Sequence, residues 1–305
     1  MIKLLFLENQ ESSAKVATTR INPIWYYFLV LFLVIIAVVV IYNYQLVLDG
    51  SSKIAEYVGP EFFLFVLGGF IAQMIDGALG MAYGVSASTF LLSFGVPPAA
   101  ASASIHTSEI FTSGVSGWMH FRFQNVNKKL FKTLLLPGVI GAAAGAYLLS
   151  SLEEYNYIIR PIVAVYTFSL GFVIILKAIR KNGAKLKTSR IPLLASFGGL
   201  MDSVGGGGWG PIVSSTLIAG GRSPRYTVGS VNAAEFFVAL SSSITFFALI
   251  GLSHIQVILG LIIGGVIAAP IAASITTKLP VKTMMIIVGV TVMLVSLRLI
   301  FLAFR

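Results

Sequence analysis

The sequence has no cysteine and only three histidines in 305 residues. The first absence excludes disulfides, thiolate metal sites, haem attachment and thiol catalysis together. The second leaves little material for a metal centre, so neither a metal nor a cofactor is expected. Charge is scarce as well. Charged residues make up 10% of the chain, against about a quarter in a water-soluble protein, while 57% of residues are apolar and the mean hydropathy is +0.92. That balance excludes an ordinary soluble domain and leaves an all-α polytopic membrane protein. The net charge of +10 does not point to nucleic acid, because the Lys and Arg lie between apolar spans, where they set orientation.

Residues 1–61 comprise a polar segment and one apolar run, Ile24 to about Val47, that is too long for a signal-peptide core. It reads as an extra N-terminal transmembrane helix, with Trp25, Tyr26 and Tyr27 at one interface, Tyr42 and Tyr44 at the other, and the N-terminus in the cytoplasm. Apolar stretches follow at 62–95, 98–121, 131–151 and 157–179, then a basic linker, then 191–219, 224–250, 255–277 and 282–304. The stretch 62–95 is too long for a single helix across a core that needs about 20 residues, and it contains DGALGMAYG. Its later counterpart contains DSVGGGGWG, and each Gly costs a helix about 1 kcal/mol relative to Ala. Both stretches must break. Irregular backbone at membrane depth survives only where protein or a wet cavity satisfies it.

The basic loops carry Arg122, Lys128, Lys129 and Lys132, and then Lys177, Arg180, Lys181, Lys185, Lys187 and Arg190. Both belong in the cytoplasm, with Glu153 and Glu154 on the opposite side between them. The second loop is a topology determinant with anionic lipid as a secondary contact. Threading from these loops makes 62–95 a hairpin entered and left from outside. The stretch 191–219 becomes a hairpin entered and left from inside, beside Arg222 and Arg225.

A shift of 126 residues pairs Asp76 with Asp202, Gly80 with Gly206, Gly84 with Gly210, Ser88 with Ser214, Leu91 with Leu217, Gly95 with Gly221, Pro98 with Pro224, Ser104 with Ser230, Glu109 with Glu235 and Phe111 with Phe237. Chance likeness between apolar segments matches Leu and Ala rather than aligning Asp, Pro and Glu, so the period reads as a duplication. Residues 62–180 form the first repeat, 181–190 the cytoplasmic linker and 191–305 the second repeat. Each repeat is a Gly-broken hairpin plus three spans, an odd number of crossings, so the second is inverted relative to the first. Inverted repeats with broken helices near the midplane are the architecture of alternating-access carriers.

Four of the 11 acids, Asp76, Glu109, Asp202 and Glu235, fall within embedded stretches, where each costs about 2.5–3.5 kcal/mol. For Glu109 and Glu235 two readings stand, a proton- or ion-coupling site and a protonated group that joins helices by hydrogen bonds. For Asp76 and Asp202 they are coupling or gating, and a carboxylate that ties up loose N–H groups at a break. The second arm of each hairpin begins at the Gly-rich break, where free N–H groups and partial positive charge bind anions without Lys or Arg. Gly84, Ser86, Ser88 and Thr89 in one copy, and Gly210, Ser214 and Ser215 in the other, suit a compact oxyanion. They also suit close helix approach. His106 and Asn232 occupy matching positions, either as polar lining beside the tips or as partners in interhelical hydrogen bonds. His106 and Glu109, one turn apart, look like half of a metal pair, but one His without Cys is a poor transition-metal set. A hydrolase built on Ser86 or Ser88 with His106 would leave the duplication unexplained.

Two copies of a broken helix, DGALGMAYG and DSVGGGGWG, each followed by a small-residue span with one Glu, resemble the sulfite exporter TauE/SafE family, also called the toluene sulfonate uptake permease family. The resemblance covers about residues 62–304. It implies a secondary carrier of a small sulfur-containing anion such as sulfite, sulfoacetate or another organosulfonate, in a bacterial inner membrane; the embedded acids add proton coupling to that expectation. The first copy has Leu79, Met81 and Ala82 where the second has Gly205, Gly207 and Gly208, so the two tips are unequal. Because all four embedded residues of interest are acids, a cation or cation-coupled carrier is the alternative within transport.

Overall fold

Proline and glycine punctuate the helices of this chain. The computed structural model describes residues 59, 61–79, 81–179, 188–251, 254–276 and 281–303. The expected N-terminal helix and most of the basic linker lie outside the described residues. Within them every regular element is helical. The helices are α1 (Phe62–Leu79), α2 (Tyr83–Ser93), α3 (Pro98–Arg122), α4 (Lys128–Ser151), α5 (Asn156–Ile179), α6 (Ile191–Gly205), a π-helical turn (Gly210–Ser214) continuing into α7 (Ser215–Ala219), α8 (Pro224–Ile250), α9 (Ile255–Thr276) and α10 (Val281–Ala303). Four of them, over Lys128–Ser151, Glu153–Ile179, Arg225–Ile250 and Met285–Ala303, are long and apolar enough to cross a membrane.

Local chemistry sets the ends. Pro98 and Pro224 start α3 and α8 at the position where a missing N–H costs nothing. The Asn127 side chain accepts from Leu130 N at 3.0 Å and caps α4. The arm α2 closes with Val96 N donating to Leu91 O and Gly95 N to Leu92 O. The arm α7 closes the same way, Arg222 N to Leu217 O and Gly221 N to Ile218 O. Gly95 and Gly221 take φ of 87° and 82°, the left-handed geometry that this C-cap requires.

Both expected breaks form, but α1 and α6 run past their acids. Asp76 and Asp202 sit inside the last turn of a helix, with the break at Met81 and Ala82 in one case and at Gly206 in the other. Gly206 has φ 66° and its successor Gly207 N donates to Asp202 O at 2.9 Å.

The helices associate in crossed pairs. α1 packs along α9, α4 along α6, α5 along α10 and α3 along α8. Small residues permit the closest of these approaches: a Cβ on Gly141 or Gly145 of α4 would collide with the backbone of Ser196 or Leu200 in α6, and one on Gly264 of α9 with that of Val66 in α1. Tyr83 is buried among Phe65, Leu91, Ile105 and Leu261. Trp209 is buried among Leu134, Ile191, Val213 and Val238. The outside carries exposed Phe63, Trp118, Leu136, Leu193, Leu294 and Phe301, the apolar face that lipid covers.

Candidate functional site

The two breaks meet. Gly84, at the start of α2, lies so close to the second break that a Cβ on it would stand 2.6 Å from Gly207 Cα, and a Cβ on Gly207 would strike the Gly84 and Val85 backbone. On the other side, a Cβ on Gly210 would stand 3.0 Å from Met81 Cβ. Ser88 Oγ donates to Gly205 O at 2.7 Å and joins the tips directly. Tyr166 of α5 donates its hydroxyl to Gly207 O at 3.0 Å.

The acids at the breaks work alike. Asp76 Oδ1 accepts from Tyr83 N at 3.2 Å, and Asp202 Oδ1 accepts from Trp209 N at 2.8 Å. Each carboxylate therefore bridges its break and holds the first N–H of the returning arm, one of the groups that a helix start leaves unpaired. The first tip stores strain as well, because the non-glycine Ala82 takes φ 100°, whereas the left-handed residue of the second break is Gly206.

Beside the tips lies a cavity of about 240 Å³. Of the residues singled out from the sequence, Asp76, Gly84, Glu109, Asp202, Gly210, Asn232 and Glu235 line it. All four embedded acids thus come to one place, and among the described residues no Lys or Arg lines the cavity. Glu109 is buried and its Oε2 has no hydrogen-bond partner.

The hydroxyl candidates are turned elsewhere. Ser88 is spent on Gly205, and Thr89 Oγ1 donates to Val85 O at 2.7 Å. Ser215 is engaged by Pro211 O and by the Lys177 ammonium. Ser86 and Ser214 carry buried hydroxyls without partners, outside the cavity lining. His106 sits behind Asp202, fully buried, with Nδ1 2.8 Å from Ser102 O and Nε2 3.1 Å from Asp202 Oδ2. Asn232 donates to Ser116 Oγ at 3.0 Å. Ligand atoms of His106, Glu109 and Asp202 lie within 4.8 Å of one another, but the set holds one imidazole, both of whose nitrogens are engaged, and no thiolate. We assign it no metal.

Several contributors were not singled out from the sequence. Gln73, Thr112, Ser113 and Ser116 also line the cavity, and Gln73 Oε1 is buried without a partner. Gln73 precedes Asp76 by three residues, one helical turn, which is the signal that locates it. Lys177 belongs to α5 and not to the loop after it. Its Nζ donates to Pro211 O at 2.7 Å, inside the second hairpin. Pro211 matters for a further reason, since it has no N–H to offer a ligand. Beyond Trp209 the second tip has only Gly210 in the position where the first tip has Gly84 and Val85.

Against known proteins, residues 65–299 match the family model described as Sulfite exporter TauE/SafE. A curated relative, the probable membrane transporter protein YtnM of Bacillus subtilis (strain 168), is 36% identical over 245 residues, spanning 77% of this chain and 81% of the relative. No solved structure matches.

Proposed function

Because this chain is an integral membrane transporter of the sulfite exporter TauE/SafE family, and not an enzyme, we propose that it carries a small sulfur-containing anion across a bacterial inner membrane by proton-coupled alternating access. Sulfite, sulfoacetate and other organosulfonates are the substrate class. The observation that carries this reading is the meeting of the two broken hairpins, with first-turn residues Gly84, Val85 and Gly210 lining one small cavity. Helix starts at such a point supply anion-binding N–H groups without cationic side chains.

Inverted repeats are part of the proposal. A shift of 126 residues brings the ranges of α1 to α5 onto those of the second set to within three residues at each end. The packing is exchanged accordingly. α1 lies on α9 and α6 on α4, so each hairpin rests on the other half, while α3 with α8 and α5 with α10 pair like with like. A two-fold relation between the halves supports rocking of one against the other about the cavity.

The test is uptake by the purified protein in proteoliposomes of sulfite, sulfoacetate, taurine, sulfate and acetate, with and without a pH gradient. We expect saturable uptake of sulfite or a sulfonate that responds to the gradient. A second reading, a cation or cation-coupled carrier, is favoured by the four carboxyls that line the cavity without a basic partner among the lining residues. Silence toward every anion, with cation uptake in its place, would establish it.

A further inference from the structure

We propose that His106 and Asp202 together hold the coupling proton, and that the pair is single, with no equivalent in the first break. This rests on the proton-coupled reading above and names its carrier.

Hydrogen-bond bookkeeping leads there. Ser102 O can only accept, so His106 Nδ1, 2.8 Å away, carries a hydrogen. The Ser102 hydroxyl stands 3.3 Å from the same nitrogen, but its own hydrogen goes to Ser203 O at 2.5 Å. With Nδ1 protonated, a neutral ring has only a lone pair at Nε2. That lone pair faces Asp202 Oδ2 at 3.1 Å, and an ionised carboxylate has only lone pairs as well. Two acceptors do not hold each other at this distance, so one proton lies between them. The pair is imidazolium with carboxylate or imidazole with carboxylic acid, and neutral either way. Asp202 Oδ1 is already committed to Trp209 N, which leaves Oδ2 as the oxygen that exchanges the proton.

The surroundings make that proton consequential. Both side chains are buried, and only Asp202 reaches the cavity, so the proton arrives and leaves through it. The titratable neighbours are Glu109 on α3, Asp76 on α1, Tyr83 on α2, Tyr166 on α5 and Glu235 on α8. Phe246 of α8 covers the imidazole with ring centroids 6.3 Å apart. When the proton leaves to cavity water, the N–H or O–H bond breaks and one uncompensated negative charge stays among three further carboxyls. Deprotonation therefore loosens Asp202 from His106, and with it the second hairpin from α3. In the other half Asn232 stands where His106 would, and its amide donates to Ser116, so it holds no proton.

The chain itself thus supplies the test substitution, His106→Asn. Proteoliposomes containing a trapped pH dye would be loaded with radiolabelled sulfite and, separately, sulfoacetate, to read proton and anion movement together. We expect one proton per anion in the wild type and a ratio at least tenfold lower in His106→Asn. An unchanged ratio overturns the proposal, whereas a wild type silent toward both anions overturns the functional reading instead. A measurement on the unaltered protein stands apart from both. With only three histidines, 15N resonances of the ring nitrogens can be assigned by deleting His120 and His254 in turn. His106 should show a protonated Nδ1 and a hydrogen-bonded Nε2, and an Nε2 free of any hydrogen bond overturns the pair.

Discussion

Asp202 uses its two carboxylate oxygens for different purposes, and substitution separates them. Asp202→Asn keeps an acceptor for Trp209 N–H, whereas Asp202→Ala leaves that buried donor unpaired, a loss of about 1–3 kcal/mol. Melting of the purified protein in detergent should show the alanine variant clearly destabilised and the asparagine variant much less so. Asp76→Ala should cost less than Asp202→Ala, because Asp76 is only half-buried and its bond to Tyr83 N is the longer, 3.2 Å against 2.8 Å. Equal losses at the two positions would contradict this account of the breaks. The same residues show what the sequence can reveal. Acids beside Gly-rich strings are costly in a membrane, so their presence points to a centre. What Asp202 Oδ2 faces depends on a helix about a hundred residues away, the one that carries His106.

At the scale of elements, close helix contact depends on a few missing side chains. Gly145 of α4 faces the backbone of Leu200 in α6, so Gly145→Leu should push the two helices apart. Overpacking of this kind costs about 1–3 kcal/mol, and here it also displaces the second break. We expect loss of a monodisperse peak in size-exclusion chromatography, while Ile140→Leu on the exposed face of α4 should behave as wild type. The helix starts and the two breaks were legible in the sequence because Gly, Pro and acids in register mark them. Two features were not. Lys177 reads as part of a basic loop, since charge near a span end is ordinary for topology, and only the fold brings it to Pro211. Ser88, Thr89 and Ser215 read as ligand hydroxyls, but Thr89 and Ser215 bond carbonyls four residues back in their own helices, and Ser88 bonds Gly205 O across the two tips.

For the whole molecule, the absence of cysteine makes the proposed inversion of the two halves directly measurable. Single cysteines at Phe94, Lys129, Glu154 and Arg222 would each be the only thiol in the protein. With a membrane-impermeant reagent on intact cells, Phe94→Cys and Glu154→Cys should label, and Lys129→Cys and Arg222→Cys only after permeabilisation. Labelling of Phe94→Cys and Arg222→Cys from the same side would remove the inversion. The exchanged pairing of hairpins also has a consequence in time. α1 ends at Leu79 and its packing partner α9 begins at Ile255, so at roughly 5–20 residues per second the ribosome needs about 10–35 s to deliver that partner. Throughout that interval the face of α1 that receives Gly264 has no neighbour to cover it. The first hairpin must wait in the translocon or in lipid for a helix made near the end of synthesis, and a chain truncated before α9 leaves an orphaned hairpin for quality-control proteases.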